Sequence, residues 1–296
     1  MSRSRSGALR GALVGLFCGL VAAGFFWAVG EPHIDKAIEI EEARSAGAGD
    51  QSPGATHAHG AEEAPEAADE AGDEPAAWTV SRSTQRSVGL FSALGLGGAA
   101  LGALVGAVHA TTGGHPFYRA VRICATGFFA VHLLPWFKYP PNPPAVGDPD
   151  TIAYRQTWYA LLVVAGLLLV LAVGRLRRML KADPGSVRPM QGWRADLAAG
   201  LAFAAGLVVL LVAFPPNPDP IEVPAKLIWD FRVVSLAGNA LLWSALAVGI
   251  GGLAAVREER ATSIERLEVV EEGAGAKRAA GKAGSGSAHP AGPTIF

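Results

Sequence analysis

LRGALVGLFCGLVAAGFFWAV, Leu9 to Val29, is the stretch on which the reading of the whole chain turns. A helix of about 20 mostly apolar residues spans the roughly 30 Å of a bilayer's hydrocarbon, and this run has that length with a single charge, Arg10, near its start. Arg3, Arg5 and Arg10 give it the look of a secretory leader. The apolar run is too long for one, however. It reads as an uncleaved membrane span.

Five further runs follow: Val88 to Val108, Ala120 to Phe137, Thr157 to Gly174, Leu197 to Phe214 and Val233 to Ala255. Composition agrees, since 50% of the 296 residues are apolar and only 17% are charged, against about 25% charged in a soluble domain. The expectation is an all-α polytopic membrane protein of six transmembrane helices, residues 9–29, 88–108, 120–137, 157–174, 197–214 and 233–255. The low charged fraction makes membrane lipid the expected surrounding partner, and since polybasic runs with interleaved aromatics are absent, the charge pattern gives no support to nucleic acid. The two cysteines, Cys18 and Cys124, lie inside apolar runs. Their number supports no disulfide framework and their spacing no zinc motif, which leaves them as small buried hydrophobes.

Charge between the runs sets orientation. Lys and Arg gather before the first run, at Arg119 and Arg122, from Arg175 to Arg194 and in the C-terminal tail, while acids concentrate in the alternate loops. With basic segments held in the cytoplasm, six spans put both termini there. Trp27, Trp136, Trp158 and Trp229 then fall at the outer boundary and Trp193 at the inner one, as an aromatic belt requires.

Gly7, Gly11, Gly15 and Gly19 recur every fourth residue, as do Gly98, Gly102 and Gly106, and both runs contain the string GALVG. Small residues at this spacing let two backbones approach closely, so the first two helices are expected to cross tightly. Residues 45–77 of the first outer loop are mostly Ala, Glu, Gly and Pro, and the tail 273–296 is dominated by Gly, Ala, Lys and Ser. Both are expected to be disordered. Between the last span and that tail, REERATSIERLEVVEE predicts a cytoplasmic helix over 256–272, with Ile264, Leu267 and Val270 at three-residue spacing.

Two outer loops repeat one another. PPNP follows Phe137 at Pro140–Pro143 and follows Phe214 at Pro215–Pro218. Each copy then carries acids and prolines before the next span: Asp148, Pro149 and Asp150 in one, Asp219, Glu222 and Pro224 in the other. A weaker third match opens with GEPHID after the first span. Matching hairpins predict a parallel internal repeat. Tandem prolines stop a helix and hold the following chain extended, which makes the outer mouth stiff. Asn142 and Asn217 then present amide oxygens near carboxylates, a hard-oxygen set for a cation, or they act as turn caps.

No Asp, Glu, Lys or Arg lies deep in any of the six runs. His132 is the one candidate at membrane depth, roughly 7 Å below the outer boundary at about 1.5 Å per residue. Pro135 frees a carbonyl one turn back, near Val131. Asn239 lies at a comparable depth in the last span, with Ser92 and Ser235 at or just above it. Two readings stand. In one, His132, Asn239 and the freed oxygen line a cation pathway, the imidazole favouring a transition metal over magnesium or calcium; in the other, His132 makes an interhelical hydrogen bond. Glu31, His33 and Asp35 at the end of the first span, and Asp148 and Asp150 in the first proline loop, complete the candidate metal-binding residues. His57 and His59 add weak, exchangeable sites in an acidic loop.

LPWFKYPPNPPAVGDPDTI, GLVAAGFFWAVGEPHIDKAIEIEE and FPPNP leading to LIWDFRVVSLAGNALLW together resemble the CbtA-type predicted cobalt transporter subunits, over about Gly7 to Ala255. The resemblance implies an integral membrane protein of the cell inner membrane, linked to cobalamin synthesis. It also implies cobalt(II) as substrate, no cofactor, and a small single-span, His-rich partner of CbtB type. The chain holds no Walker motif and no membrane acid, so it carries no visible energy source. Alternatives are a permease for another divalent cation such as nickel, or a non-conducting assembly or chaperone-like subunit. An enzyme is disfavoured, because no nucleophile and base pair up at matching depth.

Overall fold

The computed structural model of the chain describes residues 3–49, 81–143, 146–181, 192–217 and 223–284. Among these residues every regular element is helical and no strand occurs. Six helices are long and apolar enough to cross a membrane: Ser4–Arg44, Arg82–Thr111, Pro116–Lys138, Ile152–Lys181, Gly192–Ala213 and Ala225–Glu271. Each coincides with one of the six apolar runs. Large aliphatic side chains cover their outer surfaces, Val212 being 78% exposed and Leu96 70%. Helices apolar on all sides yet exposed at these positions suit hydrocarbon as solvent.

Three of the six carry a π-helical turn. Helix α1 (Arg3–Phe25) passes through Phe26–Gly30 into α2 (Glu31–Gly49). Helix α3 (Arg82–Thr84) passes through Gln85–Gly89 into α4 (Leu90–Thr111), and α5 (Pro116–Phe128) through Phe129–Leu133 into α6 (Leu134–Lys138). In the first and third cases a proline, Pro32 or Pro135, follows within two residues. Its missing N–H breaks the regular ladder, and the widened turn absorbs the break. Helices α7 (Ile152–Lys181), α8 (Gly192–Ala213) and α9 (Ala225–Gly284) complete the chain.

The glycine seam joins α1 to α4. A Cβ placed on Gly11 would overlap the Gly102 carbonyl, one on Gly15 the Gly98 carbonyl, and one on Gly106 the Gly7 carbonyl. The two backbones therefore meet without side chains between them, as the four-residue spacing predicts. Cys18 and Ala22 of α1, Val105 of α4, Cys124 of α5 and Trp243, Leu246 and Ile250 of α9 form one buried cluster. A second cluster, centred on Leu134, Tyr139 and Leu162, joins the α7–α8 hairpin to the C-terminal half of α5–α6. Both cysteines are free and buried.

The helices exceed the sequence reading at three places. The backbone is helical through Gly49, although residues 45–77 were expected to be unfolded; the rest of that loop, with His57 and His59, lies outside the described residues. Helix α9 does not break near Ala255 into a separate cytoplasmic helix. It runs without interruption through 256–272 and on to Gly284, past the expected start of a disordered tail at Gly273; residues 285–296 lie outside the described residues. Extending an existing helix gains a hydrogen bond for each residue fixed, with no new nucleation cost. The Ala-, Lys- and Arg-containing segments involved have adequate propensity once a strong helix precedes them.

Candidate functional site

Two adjoining cavities occupy the end of the bundle that carries the proline loops. The outer one, a vestibule of about 640 Å³, is walled by Tyr139, Asn142, Arg155, Gln156 and Asn217, with Glu41 of α2 at its edge. The inner one, about 270 Å³, is lined by Phe26, His132, Trp136, Ser235 and Asn239. Tyr139, Pro141 and Tyr159 belong to both walls. The two asparagines of the repeated PPNP strings thus face one vestibule.

Proline explains how the vestibule is held. Tandem prolines offer no N–H, so their loops cannot cross-link through backbone donors, and their carbonyls must take donors from elsewhere. Arg232 of α9 supplies two, from Nε to the Pro141 carbonyl (3.3 Å) and from Nη2 to Asn142 Oδ1 (2.8 Å). Trp136 Nε1 donates to the Arg232 carbonyl at 3.0 Å. Tyr139 Oη donates to the Pro215 carbonyl at 2.8 Å, tying the first proline loop to the second. Lys138 Nζ adds a bond to the Leu211 carbonyl at 2.8 Å. Burial, with a smaller contribution from nearby Tyr154, raises the Tyr139 phenol above its ordinary pKa and keeps it a donor.

The inner cavity is built around the second proline effect. Pro135 leaves the Val131 carbonyl without its helical donor, and Tyr159 Oη of α7 fills the gap at 2.8 Å. This is the freed carbonyl expected from the sequence, already engaged by one donor. His132 sits on the π turn between Phe128 and Trp243, with ring centroids 6.4 and 6.1 Å away. Its imidazole makes no hydrogen bond among the described residues. Asn239 donates Nδ2–H to the Ser235 carbonyl at 2.9 Å, which leaves Oδ1 without a protein donor among the described residues. Phe26 reaches the cavity because it packs on Gly238, where any Cβ would overlap its ring. Below, Leu242, Trp243 and Leu246 fill the bundle.

His132 and Asn239 are therefore brought together as the sequence suggested, and Ser235 joins them; Ser92 instead bonds back to the Val88 carbonyl at 2.6 Å. Asn142 and Asn217 share the vestibule, but the Asn142 oxygen already accepts from Arg232. Asp148 Oδ1 accepts from the Asp150 backbone N–H at 2.9 Å, and neither carboxylate lines either of these two cavities. Asp219 and Glu222 lie outside the described residues.

Glu31, His33 and Asp35 are helical residues of α2 rather than loop residues. Buried Glu31 pairs with Arg82, and Asp35 pairs with Arg82 and Arg86, each at 3.1 Å. His33 Nδ1–H donates to the Val29 carbonyl at 2.9 Å. The Glu31 and Asp35 pairs clasp α2 to the start of the second span, while His33 bonds within its own helix. No set of three or more His, Cys, Asp or Glu side chains among the described residues is arranged to hold a metal ion.

Sequence reasoning missed Arg232, Tyr139, Tyr159 and Glu41. Arg232 stands one residue before an apolar run, and tyrosines at span boundaries pass for belt residues. Their partners lie far away in the chain.

Comparison with known proteins bears on all of this. The family described as Probable cobalt transporter subunit (CbtA) matches the chain over residues 5–255. No curated protein and no solved structure matches it.

Proposed function

The chain belongs to the CbtA family of probable cobalt transporter subunits, and from that premise we propose that it carries its substrate, cobalt(II), from the proline-walled vestibule into the cavity beside His132 and Asn239. One observation supports this above others. His132 on the π turn and Asn239 on α9, far apart in sequence, line one cavity that adjoins the vestibule.

The cavity is suited to a hydrated ion. Water occupies about 30 Å³ in the liquid, so about 270 Å³ has room for a divalent cation with a six-water shell. The unpaired Asn239 oxygen accepts from that shell, and the His132 imidazole replaces one of its waters. Imidazole suits a first-row transition metal, whereas magnesium gives up water reluctantly. The lack of a three-ligand cluster among the described residues fits transit, since conduction needs binding weak enough to release the ion. Trp243 and Leu246 close the inner half in this state and must part for passage.

The rest of the reading follows from the family and from the charge pattern. A subunit works with partner proteins, and a small single-span, His-rich, CbtB-type protein would supply ligands that this chain lacks. Basic segments on the cytoplasmic side put both termini there, in the cell inner membrane. The paired PPNP hairpins mark a parallel repeat, cobalt uptake serves cobalamin synthesis, and the chain performs no catalysis.

The test is flux into proteoliposomes loaded with a metal-sensitive dye, comparing cobalt, nickel and magnesium, with and without a membrane potential. Cobalt and nickel are expected to enter faster than magnesium. Equal magnesium flux would remove the role given to the imidazole. Absence of any flux from protein reconstituted with its partner would favour the non-conducting assembly subunit.

A further inference from the structure

A third cavity, about 470 Å³, opens at the opposite end of the bundle from the vestibule, where α1, α4, α5 and α9 meet. Its polar lining is basic. Arg10 comes from α1, His109 from the end of α4, Arg119 from the start of α5 and Arg257 from α9. Two of these are fixed by the protein. Buried His109 gives Nε2–H to the Pro116 carbonyl at 3.0 Å, and its Nδ1 accepts from Arg119 Nη2 at 3.4 Å. Arg119 Nη1 donates to the Thr112 carbonyl at 2.6 Å, while its Nε–H is buried with no partner. Arg10 and Arg257 form no ion pair or hydrogen bond among the described residues. Glu258 and Glu259, beside Arg257 in sequence, line a separate cavity with His115 and Arg266. No acid lines the basic cavity.

Three guanidinium groups converging without a counter-charge call for an anion, and the rest of the lining says which kind. Leu13 and Leu253, 65% and 55% exposed, belong to the same wall. A small soluble anion would make no use of them, whereas the acyl chains of a lipid whose headgroup fills the cavity lie against them. Basic pockets between transmembrane helices at one leaflet are suited to phospholipid headgroups.

We propose that this cavity binds one anionic phospholipid, its phosphate held by Arg10, Arg119 and Arg257 and its acyl chains laid over Leu13 and Leu253. The lipid would bridge all four helices and brace the glycine seam against α5 and α9. Nothing here depends on the transport reading.

The experiment is a titration of the full chain in neutral detergent with phosphatidylglycerol, read as lipid adducts by native mass spectrometry. Phosphatidylcholine and inorganic phosphate serve as parallel arms. One adduct per chain is expected, saturating with phosphatidylglycerol and not with phosphatidylcholine. The double variant R10Q/R257Q should bind about twenty-five-fold more weakly, since each arginine near an anionic headgroup contributes about fivefold. R122Q/R175Q, altered outside the cavity, should bind as the wild type does. Equal binding by R10Q/R257Q, or equal adduct formation with phosphatidylcholine, overturns the proposal. So does displacement of the lipid by inorganic phosphate at equal concentration, which would mark a site for small anions. Should R10Q/R257Q fail to fold, competition of the two lipids on the wild-type chain decides the same question.

Discussion

Gly102→Ala in the α1–α4 seam tests how the first two spans are joined. The added methyl would lie 2.7 Å from Gly15 Cα and 2.9 Å from Gly15 N, and would overlap the Gly11 carbonyl oxygen. Carbon atoms in good contact sit at about 3.5–4.0 Å, so the helices must part locally by about 1 Å. All three opposing atoms are backbone, which cannot swing aside as a side chain does. The cost therefore belongs at the upper end of the overpacking range, about 3 kcal/mol. Ala in place of Gly within a helix returns at most about 1 kcal/mol, leaving a net loss of about 2 kcal/mol, or roughly thirtyfold in the unfolding equilibrium. Gly97→Ala, on the same helix, is the matched control, because a Cβ there meets nothing within 4 Å. Denaturant titration in mixed micelles, followed by tryptophan fluorescence, should find G102A destabilised and G97A neutral or slightly stabilised. Equal midpoints for the two variants would refute the close backbone seam.

Two further substitutions probe the end of the bundle that carries the proline loops. Arg232→Gln removes the donors to the Pro141 carbonyl and Asn142 Oδ1; losing a charge-assisted hydrogen bond costs about 1.5–3 kcal/mol. Hydrogen exchange at Val146 and Gly147, in the first proline loop, should accelerate tenfold or more, while α4 amides stay protected. Arg82→Ala leaves Glu31 buried without its partner, a loss of about 3–5 kcal/mol. Its midpoint in the same denaturant titration should fall well below that of R86A, which removes only the more exposed pair with Asp35.

The spans were readable because hydrocarbon leaves a plain mark: runs from Leu9, Val88, Ala120, Thr157, Leu197 and Val233, each long enough to cross. The glycine seam was readable for a similar reason, since a four-residue spacing of glycine fixes which faces meet. His132 and Asn239 stood out as polar groups at membrane depth, and Pro135 announced a freed carbonyl. What remained hidden depends on contacts between distant parts of the chain. Helix α2 carries too many charges to read as a span extension, and Arg82 and Arg86, about fifty residues further on, engage its acids. Arg232 looked like a boundary residue, and its hold on Asn142 joins positions about ninety apart. Tyr159 matters because of Val131, on another helix. A local pattern cannot report such pairs.

The proposed passage of cobalt past His132 is tested by the initial rate of cobalt entry into proteoliposomes reconstituted with wild-type chain, H132A or S92A, each matched for inserted protein and for unfolding midpoint. Ser92 is exposed and bonds within its own helix, so S92A controls for substitution at a similar depth. H132A should lose tenfold or more of the cobalt rate while S92A keeps the wild-type rate. Wild-type cobalt entry in a stably inserted H132A protein would contradict the account.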